Sequence, residues 1–159
     1  MTISGDDLRL AARLCPTGVA VVTTEPDNLP AFGITINSFT TLSLNPPLVM
    51  WNLQKGSGTY REWHEADNFA VNFLKADQQD LSTKHATQGG EALPEESIAR
   101  GVTNCPMMAD CLFSLECKVH ARYEEGDHVI MIGEVVNIAT PNPDADALIY
   151  LKGGYTKAQ

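Results

Sequence analysis

Asn37-Ser38-Phe39-Thr40-Thr41 places four hydrogen-bonding side chains in five residues, with no charge and no glycine, between two apolar stretches. A second donor-rich stretch, Lys55-Gly56-Ser57-Gly58-Thr59, stands where an apolar run gives way to a helix start. Backbone amides and the positive end of a helix dipole favour an anion at such a handover, and the hydroxyls add donors. A plain capped turn has the same composition. The first run, taken alone, is more simply a strand end with solvated hydroxyls. Together the two stretches suit a ligand with a phosphate at one end and a polar heterocycle at the other. That is the outline of a mononucleotide, flavins included. The signatures of other chemistries are missing: the sequence holds no Gly-x-Ser-x-Gly, no Walker loop, no Gly-x-Gly-x-x-Gly and no His-Glu-x-x-His.

Composition narrows the classes further. At 159 residues the chain reads as one domain over residues 1–159, long enough for a sizeable core. A net charge of -9 argues against a nucleic-acid footprint, though one phosphate needs only local donors. No apolar stretch approaches the ~20 residues of a membrane span. The opening "MTISGDDLRLAARL" is acidic before it is apolar, so a soluble cytoplasmic protein is expected rather than a secreted or membrane one. Cys15, Cys105, Cys111 and Cys117 match no zinc spacing and read as reduced structural thiols, with no metal site.

The elements that must position the donors follow from periodicity. Ser4 to Asp7 looks like a helix start, with Leu8, Ala11, Ala12 and Cys15 at helical spacing before Pro16. "VAVVTT" and "AFGITI" read as a hairpin, and "LVMWNL" as the strand after Asn45-Pro46-Pro47. Thr59 to Glu62 fits a capping box for a helix to about Ala66. "NFAVNFL" is a strand, and Asp77 opens a helix to about Ala86. Residues 87–110, with Gly89, Gly90, Pro94, Gly101 and Pro106, read as an irregular excursion with one short helix at Glu95 to Arg100, suited to a lid or an interface arm. "SLECKVHARY" alternates with period two, Leu115, Cys117, Val119, Ala121 and Tyr123 against Ser114, Glu116, Lys118, His120 and Arg122. A turn, Glu124 to Asp127, leads into "HVIMIGEVVNI", and "ALIYL" is a last short element. About six strands, closely spaced, favour a closed or half-closed antiparallel barrel with a few helices. Trp51 and Trp63 are expected in the core and at an interface, with His64 and His120 at the surface or a dimer contact.

"CPTGVAVVTT", "GITINSFTTLSLNPPLV", "KGSGTYREW", "NFAVNFL" and "EGDHVIMIGEV" follow in order, and together they closely resemble the flavin reductase-like family, the FMN-binding split barrel. The resemblance runs from about Leu8 to Tyr155. It implies a mainly β fold, a six-stranded antiparallel Greek-key split barrel with peripheral helices, dimeric, with flavin near the subunit interface. It implies an NAD(P)H-dependent flavin reductase that uses FMN, or FAD, and NADH or NADPH, and hands reduced flavin to a partner monooxygenase. Asn37 and Ser38 would then serve the pyrimidine edge of the flavin, with Phe39 and Thr40 alongside. Lys55, Ser57 and Thr59 would take the ribityl phosphate, and Thr35 and Asn52 would face the same cleft. His128 matches the family histidine near the flavin ring or the nicotinamide, and is the candidate catalytic residue. Two features depart from the family pattern: the "QKGSGT" loop lacks an arginine, and His85 stands where an aromatic is usual. An FMN-retaining oxidoreductase of the same fold and a flavin-binding protein without turnover are the rival readings.

Overall fold

Ser4 begins the first helix by the reciprocal pairing its sequence predicts. Its hydroxyl accepts from the Asp7 amide at 3.1 Å, and the Asp7 carboxylate accepts from the Ser4 amide at 3.0 Å. The structure, a computed structural model, describes residues 2–86 and 91–157. Gly89 and Gly90, part of the expected excursion, lie outside the described residues. Helix α1 (Gly5–Ala12) ends before Cys15 and buries none of its residues.

The strands are β1 (Thr17–Gly18), β2 (Ala20–Thr24), β3 (Phe32–Ile36), β4 (Thr40–Leu44) and β5 (Pro47–Gln54). Helix α2 (Tyr60–Glu65), β6 (Asn68–Phe73) and α3 (Gln79–Ala86) follow. Next come β7 (Glu91–Ala92), β8 (Ile98–Arg100) and β9 (Pro106–Met108), then the long pair β10 (Phe113–Glu125) and β11 (His128–Ala139), and last β12 (Leu148–Leu151) and β13 (Gly154–Lys157). The fold is mainly β. One sheet runs β4-β5-β11-β10-β6-β2-β3-β7, with every pairing antiparallel. It carries eight strands, not six, and its order does not close. The additions sit at the edges. Thr40 to Leu44, expected as the end of a polar connection, folds back on β5 through the Asn45-Pro46 turn, and Glu91–Ala92 adds a two-residue strand to β3. A separate three-stranded sheet joins β1, β12 and β13.

The core sits on the inner face of the main sheet. Trp51, Leu53, Phe69, Val71, Val129 and Met131 alternate inward, and Trp63 of α2 closes over them. Trp63 meets Phe32 and Trp51 edge-on, each at 5.2 Å between centroids, and Trp51 meets Phe69 at 5.9 Å. Both tryptophans are fully buried core residues, as expected, and neither side chain supplies exposed surface for an interface. The reason is that α2 lays its only buried side chain into the sheet.

The excursion is likewise built in. Glu95–Ser97 forms one 3-10 turn, and Ile98–Arg100, expected as helix, is a strand paired with β9. Cys105, Pro106, Met107 and Met108 are buried. Asn72, on β6, holds this segment: its side-chain carbonyl accepts from the Met108 amide at 2.9 Å and the Ser114 hydroxyl at 2.7 Å. The packing also overturns the reading of 114–122 as a polar face. Ser114 and Glu116 are buried beneath the excursion, while Lys118 and His120 stay exposed. Register shifts between Glu116 and Cys117 and between Val119 and Ala121 let the strand change environment along its length.

No described helix is long and apolar enough to cross a membrane. Cys105, Cys111 and Cys117 are buried free thiols, Cys15 is exposed, and burial pushes the Cys117 thiol up to about 12. Among the described residues no group of His, Cys, Asp and Glu is placed to hold a metal.

Candidate functional site

The β5–β11 register decides which of the candidate residues meet. Trp51 pairs with Met131 and Leu53 with Val129, both pairs facing the core. Alternation then puts the pairs between and beyond them, Asn52 with Ile130 and Gln54 with His128, on the outer face. Thr40 pairs with Met50 on that same face. Ser38 joins by a different route. Its hydroxyl accepts from the Asn52 amide at 3.0 Å and ties the chain entering β4 to β5. Thr40, Asn52 and His128 therefore share one outer face, with Ser38 at its border.

The loop after β5 is tied to the turn before β11. The Lys55 amide donates to the Asp127 carbonyl at 2.9 Å. The Lys55 ammonium donates to the Gly126 carbonyl at 3.1 Å and pairs with Glu124 at 3.1 Å. Beyond it, the Ser57 and Thr59 hydroxyls stand 3.3 Å apart. Thr59 occupies the N-cap of α2, but its side chain makes no capping hydrogen bond, so the expected capping box does not form. The Thr59 amide donates to the Ser57 hydroxyl at 3.4 Å instead. Helix α2 is only six residues long, so the hydroxyls and Lys55 matter more at this loop than the helix dipole. Two hydroxyls and one ammonium, half-exposed at one loop, are a donor set that fits a phosphate.

His128 stands at the rim, its side chain 41% exposed, with Nδ1 2.8 Å from the Asp127 carboxylate. Hydrogen bonding and proximity to His128 hold the Asp127 carboxyl below its ordinary value. With Nδ1 donating to Asp127, the contact to a ligand falls to Nε2.

Thr35 and Asn37 lie elsewhere. They line a cavity of about 230 Å3 with Val19, Ile36, Ala86, Tyr150 and Tyr155, and Asn52 is not among its walls. The Thr35 hydroxyl donates to the Ser82 carbonyl at 2.7 Å. Phe39 packs edge-on against Phe73 at 4.8 Å, and Phe73 stacks on Phe113 at 4.3 Å. Asn37 and Ser38 are thus the point where the polar run passes from this cavity to the β4–β5–β11 face. Tyr150 and Tyr155 escaped the sequence reading. The signal was the "LKGGY" turn: Lys152 and Gly153, at φ 55° and 80°, turn β12 into β13 and bring the two rings to 5.6 Å.

His85, which stands where the family usually has an aromatic, is buried with Nδ1 3.3 Å from the Gly33 carbonyl, and burial pushes its pKa down. It is a packing residue of α3 against β3.

The family model of the flavin reductase like domain matches residues 12–159. The chain belongs to the flavin reductase-like family. The reductase subunit of stachydrine N-demethylase from Rhizobium meliloti is 37% identical over 149 residues, covering 93% of this chain and 64% of that protein. This chain thus spans just under two thirds of that relative. An NADH-dependent FMN reductase from Agrobacterium fabrum is 37% identical over 139 residues, covering 87% of this chain and 78% of that protein. Among solved structures, the NADH:FAD oxidoreductase of Streptomyces globisporus, in complex with NAD and FAD fragments, superposes with a TM-score of 0.84 at 28% identity, covering 100% of this chain and 97% of that one. The family model spans β1 to β13, so the outer face and the Asn37 cavity both lie within the family's domain.

Proposed function

We propose that this chain is a single-domain NADH- or NADPH-dependent flavin reductase that passes reduced FMN or FAD to a separate monooxygenase. The observation that carries the reading is the bond between the Lys55 amide and the Asp127 carbonyl, which sets the loop of Lys55, Ser57 and Thr59 beside the turn that holds His128. A phosphate-type donor set and a ring-positioning histidine meet at one rim of a flavin reductase-like fold. A bound flavin supplies the hydride acceptor, so the protein needs neither a nucleophile nor a metal. Its own residues bind and orient. Lys55, Ser57 and Thr59 hold the phosphate end; Ser38, Thr40 and Asn52 border the ring; His128 Nε2 meets the nicotinamide or the reduced ring. Asn37, Thr35 and Phe39 form the other wall of the ring site, where donors are of most use beside a pyrimidine edge that gains negative charge. The six central strands, whose two outer members β3 and β5 both pack on Trp63, are read as the split barrel of the family.

The test is NADH and NADPH oxidation with FMN, FAD and riboflavin. Turnover is expected with at least one pyridine nucleotide, and its complete absence with all three flavins would overturn the reading. In the same assay Ser57→Ala with Thr59→Ala is expected to weaken FMN more than riboflavin, because only FMN carries the phosphate. Equal weakening would remove the loop from the phosphate site.

The reductase is further proposed to be a cytoplasmic homodimer. Leu42, Leu44 and Ile138 are 46%, 87% and 62% exposed on β4 and β11, and these, not the tryptophans, supply the apolar surface. Light scattering should give twice the 17.3 kDa chain mass at micromolar concentration, and a fully active monomer would exclude the dimer.

A further inference from the structure

The loop assigned to the phosphate offers one cation, and that cation is already engaged. Lys55 Nζ lies 3.1 Å from Glu124 Oε2 and 3.1 Å from the Gly126 carbonyl. Its side chain is 34% exposed and that of Glu124 61% exposed, so the pair sits at the surface within reach of a ligand. The next basic residue along the chain, Arg61, pairs with Glu65 at 2.9 Å within α2. Glu125 and Asp127 follow in the same "EEGD" turn, and Glu124 is the carboxylate that pairs with the cation. An incoming phosphate must take Lys55 from a carboxylate.

From this geometry we infer that Glu124 is an internal competitor for the flavin phosphate, a residue that lowers affinity for FMN without touching the ring. The inference rests on the phosphate reading of the Lys55–Thr59 loop. Binding replaces one charge-assisted contact of Lys55 by another, so the net gain from the phosphate is the difference between them. An exposed pair of this kind contributes about 0.2–1 kcal/mol, and that contribution is lost to the ligand when Lys55 turns away. Such a device suits a protein whose flavin leaves after reduction. It also joins the two halves of the site. Lys55 releases the Gly126 carbonyl when it turns to a phosphate, and Gly126 sits at φ 56° in the tight turn immediately before Asp127 and His128. Occupancy of the phosphate end is therefore felt at the turn that positions His128. Riboflavin, lacking the phosphate, leaves the Lys55 contacts in place.

The experiment measures dissociation constants of FMN and riboflavin by fluorescence titration on the full chain, with no pyridine nucleotide present. Lys55→Met should weaken FMN and leave riboflavin nearly unchanged. Glu124→Gln should tighten FMN by about 1.4-fold to five-fold, the conversion of that pair energy, and leave riboflavin unchanged. Glu125→Gln removes the same charge from the same turn and should do less. In the Lys55→Met background Glu124→Gln should have no effect on FMN. Each alternative result has a distinct meaning. If Lys55→Met leaves the FMN-to-riboflavin ratio unchanged, the phosphate reading fails, and the competition fails with it. If Lys55→Met weakens FMN but Glu124→Gln does not tighten it, the competition alone is overturned. Tightening by Glu124→Gln that persists without Lys55, or is matched by Glu125→Gln, would show general repulsion by the acidic turn and would also overturn it.

Discussion

Glu116→Ala is expected to lower folding stability by about 2–4 kcal/mol, because it strands several part-buried donors at once and empties a buried position. The carboxylate is fully buried. One oxygen accepts from the Val102 amide at 2.8 Å and the Asn137 side chain at 3.0 Å; the other accepts from the Thr103 amide at 2.6 Å and the Thr103 hydroxyl. These bonds pin the 101–104 loop onto β10. Glu116→Gln keeps the volume but points an amide N–H₂ at donors, so it should recover little. Gly101→Ala should act in the same direction without removing the charge, since a Cβ there would lie 1.9 Å from a Glu116 oxygen. The pH dependence follows from the same contacts. Burial raises the Glu116 pKa, and the hydrogen bonds from Thr103, Asn137 and Val102 outweigh it, leaving the group below its ordinary value. A carboxyl lowered on folding contributes stability that is present above its unfolded pKa of about 4.3 and is lost as pH falls through the folded value. The gap in urea midpoint between wild type and Glu116→Ala should therefore hold from neutral pH down to about pH 4.3 and narrow below it. Equal midpoints at neutral pH would show that water satisfies the loop unaided.

Glu116 also marks where the sequence stops being legible. Period two over Ser114 to Tyr123 identifies the strand, yet it assigns Ser114 and Glu116 to solvent. Glu116 takes its backbone donors from residues 102 and 103, and Ser114 donates to the Asn72 oxygen that also accepts from the Met108 amide, in a stretch whose glycines and prolines read as irregular. Nothing local announces that an irregular segment will cover one end of a strand's polar face. Trp51 and Trp63 were legible as core residues but not as core alone: an aromatic pair is equally at home in a core or an interface, and the placing of α2 on the sheet decides. The site was more readable, because its parts are local. Ser57 and Thr59 are neighbours by sequence, and the Glu124–Asp127 turn fixes where His128 begins its strand. What the sequence did not carry was the cross-link between them, Lys55 to Asp127 and Glu124, since that depends on the β5–β11 register. Thr35 and Asn52, placed at one cleft by resemblance, reach it from different strands, β3 and β5, that are not neighbours in the sheet order, and Thr35 lines a cavity that Asn52 does not.

His128→Ala is expected to raise the apparent KM for NADH or NADPH, or to lower turnover, by ten- to a hundred-fold, worth about 1.4–2.7 kcal/mol. The expectation comes from where the ring sits. His128 opens β11 at the rim, on the outer face it shares with Asn52 and Thr40, and β-pairing with Gln54 fixes its backbone. The Asp127 carboxylate, 2.8 Å from Nδ1, fixes the ring. A ring held at backbone and Nδ1 can present Nε2 at one defined point, which is what positioning a nicotinamide at near-attack distance requires. Hydride transfer needs no proton from this residue in the same step, so its loss should not abolish activity. In the proposed site the flavin phosphate falls to Lys55, Ser57 and Thr59, so the dissociation constant for FMN should change little. Asp127→Asn, which keeps the shape but loses the charge that orients the imidazole, should give a smaller effect in the same direction. The check is steady-state kinetics with each substrate varied, paired with a flavin titration of the same variants. If His128→Ala folds and its constants for both substrates match wild type, the Asp127 contact is only a turn clasp, and the acceptor side of the site must be built from the Asn37 cavity with Tyr150 and Tyr155 instead.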